Sequence, residues 1–494
     1  MSKTTITGIA LFILGLNSVA LAAPPERPNV LFLFTDDQRQ DTIRAWGNEA
    51  IETPNMDRLA ESGLSFRNAY IMGGSSPGVC LPSRASLLTG RTLWNIECQG
   101  IWSYEISEDF KTLPEVFREA GYTTFATGKN DPGKRGQFAR AYSAADKILF
   151  RGMTSNQYRL PLHRFSPEGN YASQKPVVSK GKHSAEVYAD ACIEFLQSQR
   201  NAEKPFYAYV AFQTPHDPLN VPEDYLEKYD PDEMELYPPF YPEHPFDNGM
   251  LRIRDENLEP RPRTEAGLRK RLAAYYALVD HTDAQIGRIL DTLDELGMTE
   301  DTLIVFASDN GLGLGSHGLV GKQNIYEHSV KVPLILSGPG IPKGEDRQQL
   351  CYMYDIHPTL IMLAGLPMPD TVQFWSLLPI LKNEAAPHRP HLYFAFMDWQ
   401  RAIRDERFKL IEYCVGDSRH TQLFDLQNDP HEEHNLAELS EHREKLHELR
   451  QRLIEESRRL NDGNVPYEFS SKQGEQFWTK YHLSQQGKPT PTAP

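Results

Sequence analysis

The sequence predicts an α/β fold with a large, mixed, mostly parallel sheet flanked by helices, followed by a smaller C-terminal α+β subdomain. Two apolar runs, Val30-Leu31-Phe32-Leu33-Phe34 and Leu303-Ile304-Val305-Phe306-Ala307, each end in oxygen-bearing side chains. A run that is apolar throughout is the pattern of a strand buried on both faces, as in a parallel sheet. Between such runs lie stretches with helical spacing. Beyond about residue 383, Pro and charge density rise and the runs shorten, which predicts a second, antiparallel unit.

The chain has 494 residues, more than one simple core accommodates, and a hydrophobic content of 39%, compatible with a folded protein. Lys and Arg number 52 against 67 Asp and Glu, a formal charge of −15. That balance argues against a nucleic-acid partner, which selects a basic face; a small anion site can still be locally positive. Residues 1–22 combine Lys3, an apolar run from Ile6 to Leu16 and the small-x-small end Ala20-Leu21-Ala22, the pattern of a secretory signal peptide cut before Ala23. The run is too interrupted for a membrane anchor, which needs about 20 apolar residues, so no membrane span and a periplasmic or secreted protein are expected. Export permits disulfides, but the spacing of Cys80, Cys98, Cys192, Cys351 and Cys414 supports no pairing and no CxxC metal pattern.

In chain order, the first strand leads to Asp36 and Asp37, at the end where open α/β sheets bind ligands. Residues 73–78, rich in Gly, Ser and Pro, are expected to hold no regular element, and 83–88 to form a helical turn with Cys80 just before its N-terminus, where N–H groups and the dipole favour an anion. Residues 113–120 read as a helix stopped by Gly121, and 122–127 as a strand carrying Gly128-Lys129 at its end. Residues 137–182 read as surface loops, 185–199 as an amphipathic helix, and 205–212 as a strand followed by His216. The stretch 230–263 has no periodicity and reads as a long loop. Residues 267–296 form the longest helical pattern; Asp280, His281 and Asp283 inside it are read as helix surface or scaffold, since adjacent residues do not share a helix face. The strand ending in Asp309 and Asn310 repeats the logic of the first, and 332–336 is a further strand. Residues 392–396, 402–414 and 421–426 read as short antiparallel strands, 439–460 as a charged helix and the last residues as a tail.

The run Cys80-Leu81-Pro82-Ser83-Arg84-Ala85-Ser86-Leu87-Leu88-Thr89-Gly90-Arg91 closely resembles the signature of the type I, formylglycine-dependent sulfatases of the alkaline phosphatase superfamily. The resemblance continues in Asp36-Asp37, Gly128-Lys129, His216, Asp309-Asn310, His317-Gly318-Leu319-Val320-Gly321-Lys322 and Asp355-Ile356-His357-Pro358. It implies an alkaline phosphatase-like catalytic domain over 23–385 and a C-terminal subdomain over 386–494. It also implies conversion of Cys80 to formylglycine (3-oxoalanine), whose hydrate is the nucleophile, by a formylglycine-generating or anaerobic sulfatase-maturating enzyme. Arg84 would hold that hydrate. The metal set would be Asp36, Asp37, Asp309 and Asn310 together with the modified Cys80; all-oxygen donors select Ca²⁺, with Mg²⁺ the alternative, over zinc. Lys129 and Lys322 would clamp the sulfate, His216 would protonate the leaving alcohol, and His317 would bind substrate or order its loop.

The sequence departs from the family at one place: Gly-Lys-x-His reads Gly128-Lys129-Asn130-Asp131. Asp131 standing in as a substrate-binding residue, another histidine such as His163, or weak turnover are the alternatives. The expected activity is sulfuric ester hydrolysis on a sulfated polysaccharide or oligosaccharide. The alternatives are a phosphatase or phosphodiesterase of the same superfamily, which would need a Ser or Thr nucleophile and a second, partly His-bound metal, and a non-catalytic binder of sulfated glycans.

Overall fold

The computed structural model describes residues 27–96, 106–130, 135–150 and 154–463. The expected leader, Cys98, Asp131 and the C-terminal tail lie outside these residues. The principal elements run β1 (Asn29–Asp36), α1 (Pro54–Ser62), β2 (Gly63–Phe66), β3 (Gly73–Gly74), α2 (Cys80–Thr89), α3 (Leu113–Glu119), β4 (Thr123–Asn130) and β5 (Ala144–Phe150). Then follow α4 (Ser184–Ser198), β6 (Phe206–Pro215), α5 (Glu265–Glu295), β7 (Thr302–Ser308), β8 (Leu334–Ser337), β9 (Glu345–Arg347) and α6 (Ile356–Leu363). The C-terminal part holds β10 (Leu392–Phe396), β11 (Gln400–Arg404), β12 (Phe408–Val415), β13 (Ser418–Asp425) and α7 (Arg443–Arg459).

The main sheet has eight strands in the order β9-β2-β8-β7-β1-β6-β4-β5. Strands β7, β1, β6, β4 and β5 are parallel, and β8 runs antiparallel to β7 and β2. The sheet is thus mixed and mostly parallel: the apolar runs pointed to the parallel strands, and the family resemblance implied the mixed sheet. Strand β1 is central: Phe32 and Phe34 face one apolar core, and Leu31 and Leu33 face the other, shared with residues of α1, α4 and α5. Both faces are dry, which is why the strand tolerates no polar residue before its end.

Three expectations are corrected. Residues 73–78 do contain a regular element: β3 pairs in parallel with Ala395 and Phe396 of β10 and completes the second sheet, β13-β12-β11-β10-β3. Helix α2 begins at Cys80 itself, so this residue lies in the first turn and not ahead of it; Leu81 N–H bonds Gly78 O at 3.0 Å and Ser83 N–H bonds Val79 O at 3.2 Å. Residues 137–182 are not all loop. A short helix, Arg135–Ala141, leads into β5, the edge strand of the main sheet. Its Asp146 and Lys147 are the charges an exposed edge carries, and they disguised the strand.

The family-like helix α6 braces α2, with His357 Nδ1 2.8 Å from Leu87 O. Just before it, buried Asp355 accepts Arg389 Nε at 2.9 Å and Nη2 at 2.5 Å, the Tyr352 N–H at 2.9 Å and the Trp375 N–H at 2.9 Å. Removing one member of a buried, bidentate pair strands the other charge. Arg389→Ala is therefore expected to lower the unfolding free energy by about 3–5 kcal/mol, read as a shifted midpoint in urea titration; a shift below about 1 kcal/mol would show that water rescues Asp355.

Candidate active site

The parallel register delivers the site. Thr35 is level with Ser308, Asp36 with Pro215, and Gly128 with Ala211. Asp36, Asp309, Lys129 and His216 therefore emerge at one edge, at or just past the carboxyl ends of β1, β7, β4 and β6. The ends are stitched together: Asp309 N–H bonds Thr35 O at 3.3 Å, and Gln38 N–H bonds Ser308 Oγ at 3.0 Å. Asp37 takes a left-handed φ of 66°, a conformation aspartate tolerates better than most residues. Its N–H then bonds Asp309 Oδ1 at 3.1 Å, and its carbonyl accepts the Tyr275 hydroxyl at 2.7 Å. Gly128 has φ 89°, and a Cβ there would lie 2.0 Å from Ala211 O, so only glycine lets β4 approach β6 while turning Lys129 to the cluster.

Helix α2 brings Cys80 and Arg84, one turn apart, to the same place. The ligand atoms of Asp36, Cys80 and Asp309 lie within 4.8 Å of one another, as do those of Asp36, Asp37 and His216. Arg84 Nε donates to Asp309 Oδ2 at 2.8 Å, and its Nη2 lies 3.5 Å from Asp36 Oδ2. Lys129 Nζ donates to Asp36 Oδ2 at 2.5 Å, and Lys322 Nζ donates to Asp37 Oδ1. Asn310 Nδ2 donates to the same Asp37 oxygen at 2.7 Å, and His216 Nε2 is 3.5 Å from Asp37 Oδ2. All of these side chains are buried. Three carboxylates face three permanent cations, so the cluster is close to neutral inside an acidic protein.

Burial works against every charge here, and the partners decide the outcome. For Asp36 it favours the neutral acid, but Lys129 and Arg84 outweigh it and hold the carboxyl well below its usual range. For Asp309, burial and then the neighbouring Asp36 charge win over Arg84 and Lys129, pushing it up to about 6. Burial also raises the Cys80 thiol, opposed by Lys129 and Lys322. An unmodified thiol so placed is a poor nucleophile, because the thiolate is the reactive form.

Of the residues singled out in the sequence, Asp36, Asp37, Cys80, Arg84, Lys129, His216, Asp309, Asn310 and Lys322 converge. His317 does not join the direct contacts of this cluster. Its ring stacks on Tyr326 with centroids 3.8 Å apart, and its Nε2 lies 2.9 Å from Glu432 O; these contacts order the loop. Asp131 lies outside the described residues, and His163 is buried at a bridge to Ile148. Asp280 and Asp283 are scaffold, as expected: Asp283 accepts the Asn55 and Met56 N–H groups at 3.0 and 2.7 Å, and Asp280 accepts Lys228 Nζ at 2.9 Å. Sequence reasoning missed Tyr275, which holds the Asp37 carbonyl, and the group Asp217, Arg254, Asp255 and Gln323. The one available signal was the carboxylate next to His216.

Comparison with known proteins agrees with this geometry. Residues 28–366 match the family described as Sulfatase, and residues 315–459 match N-sulphoglucosamine sulphohydrolase, C-terminal. The chain is 28% identical to an arylsulfatase of Clostridium perfringens over 475 residues, covering 88% of this chain and 96% of that protein. It is 27% identical to an N-acetylglucosamine-6-O-sulfatase of Bacteroides thetaiotaomicron, with 91% and 90% covered. A solved structure in complex with its substrate D-glucosamine-2-N,6-O-disulfate superposes with a TM-score of 0.72 at 25% identity, covering 89% of this chain and 99% of that one. With the family matched over most of its length and the family's signature residues gathered at one sheet edge, the chain belongs to the sulfatases.

Proposed function

We propose that this sulfatase removes sulfate from a sulfated carbohydrate, with Cys80 converted to formylglycine and a divalent cation held by Asp36, Asp37, Asp309 and Asn310. The observation that carries this is the approach of the Asp36, Cys80 and Asp309 ligand atoms to within 4.8 Å, with Lys129 and Lys322 alongside. The donor set fits a hard cation: Asp36 Oδ1 and Asn310 Oδ1 are buried oxygens with no hydrogen-bond partner among the described residues. Hard oxygen donors favour calcium, with magnesium second. Such a cation would polarise the sulfate oxygens and the attacking hydroxyl. A hydrated aldehyde at position 80 would supply one hydroxyl to attack sulfur and a second whose collapse to the carbonyl frees the sulfate.

The protein's own groups do the rest. Lys129, Lys322 and Arg84 bring positive charge to the place where the sulfuryl oxygens sit, in a dry site where each interaction is stronger than in water. His216 presents Nε2 to the ester oxygen and donates a proton as the alcohol leaves. Asp131 is proposed to contact the substrate in place of the family's histidine. The substrate class rests on the N-acetylglucosamine-6-O-sulfatase relative and on the disulfated glucosamine bound to the structural neighbour.

The leader pattern in residues 1–22 supports export to the periplasm or beyond. Among the described residues no helix is long and apolar enough to cross a membrane. Export is where the expected maturase would meet the chain.

One preparation tests the set. The chain is produced with a formylglycine-generating partner and analysed by intact-mass spectrometry, which reads both cleavage before Ala23 and conversion of Cys80. Sulfate release from N-acetylglucosamine 6-sulfate and related sulfated oligosaccharides is then followed by ion chromatography. Release that falls at least about tenfold after dialysis against a calcium chelator and returns with Ca²⁺ is expected. A mostly converted protein that frees no sulfate from any of them would remove the reading.

A further inference from the structure

Asp217 follows His216 directly, and its side chain turns back onto the imidazole. His216 Nδ1 lies 3.0 Å from Asp217 Oδ1 and 3.0 Å from the Asp217 carbonyl oxygen. The carboxylate and the carbonyl only accept, so Nδ1 carries the hydrogen and Nε2 is the nitrogen that faces the cluster, 3.5 Å from Asp37 Oδ2. The carboxylate cannot swing freely. Arg254 Nη1 donates to Oδ2 at 2.8 Å and Nη2 to Oδ1 at 2.9 Å. Such a fork fixes a plane, where a lysine would fix only a point.

The network continues. Arg254 Nε donates to Asp255 Oδ1 at 2.9 Å, and Asp255 Oδ2 accepts Gln323 Nε2 at 2.6 Å. Gln323 Oε1 accepts the Lys322 N–H at 3.1 Å, and its amide donates to Pro77 O at 3.0 Å. Side chains therefore join the segments bearing His216, Lys322 and Cys80. Among the described residues, none of the four linking side chains has a hydrogen bond or ion pair with Asp36, Asp37 or Asp309.

We propose, resting on the sulfatase reading above, that Asp217 is the positioning residue for His216, setting its tautomer and ring plane, and that Arg254 locks that setting. As the S–O ester bond breaks, its electron pair stays on the alcohol oxygen, which takes the proton from Nε2. The imidazole is left neutral with Nδ1–H still held by Asp217. A carboxylate–histidine pair arranged in this way orients the base without itself taking the proton.

The test compares two aryl sulfates on matured, full-length protein: 4-nitrophenyl sulfate, whose phenolate departs unaided, and 4-methylphenyl sulfate, whose phenolate needs the proton. Asp217→Ala is expected to lower kcat about 100-fold on the methylphenyl ester and less than about tenfold on the nitrophenyl ester. KM should stay within about threefold on both. Asp217→Glu, which restores a carboxylate, should recover part of the loss, and Arg254→Met should show the same selectivity more weakly. If thermal unfolding shows Asp217→Ala to be misfolded, the ratio for Arg254→Met decides. An equal drop on both esters, or none, would overturn the inference alone. A matured wild-type chain inactive on both esters and on the sulfated sugars would instead reject the sulfatase reading.

Discussion

Cys80→Ala is expected to lower sulfate-ester turnover by at least about 10⁴-fold, because it removes the thiol whose oxidation would supply the aldehyde. The fold should survive. The thiol is small and buried, so the lost packing is about 1–2 kcal/mol, a few degrees in the thermal midpoint. Arg84, Lys129 and Lys322 keep their carboxylate partners in the variant, since none of those contacts passes through sulfur. Glycan binding should therefore persist while turnover vanishes. Isothermal titration with a sulfated oligosaccharide, set beside initial rates, separates the two. A variant as active as the matured parent would take residue 80 out of the chemistry, whereas binding without turnover in parent and variant alike would favour a binding protein.

Arg84→Ala should be the most damaging single change to stability in the site. Its guanidinium is fully buried, bonded to Asp309, near Asp36, and 4.8 Å above the Phe34 ring. Without it, Asp36 and Asp309 face each other with one cation fewer. The expected cost is about 3–5 kcal/mol of unfolding free energy, the range for breaking a buried ion pair. Arg84→Lys keeps the charge but not the planar fork and should recover only part. Urea titration with tryptophan fluorescence reads both. An unchanged midpoint for the alanine variant would mean that water or ions enter the cluster and that its burial is not maintained in solution.

Much of this was legible because the central strands are buried on both faces. Strands β1, β6 and β7 appear as unbroken apolar runs, and the polar residue that ends each run marks where the sheet edge opens. Position alone thus nominated Asp36, Asp37, Asp309 and Asn310, with the sulfatase-like signature supplying roles. Strand β5 was not legible, since an edge strand need be dry on neither side. Strand β3 was not legible either, because two glycines carry no side chains to show a pattern. Arg254 and Asp255 escaped for a different reason. They sit in an aperiodic segment, and their partners Asp217 and Gln323 are 37 and 68 positions away. Only the folded chain brings such residues into contact.

The two-residue strand at Gly73–Gly74 has a bearing on protein engineering. By pairing with β10 it stitches the segment leading to Cys80 into the C-terminal sheet, so the polypeptide is not modular at residue 385. Chimeras that exchange the last hundred residues between relatives to alter substrate choice would need a matching donor strand at 73–74. Without it, the graft would leave an unpaired edge next to the reactive residue.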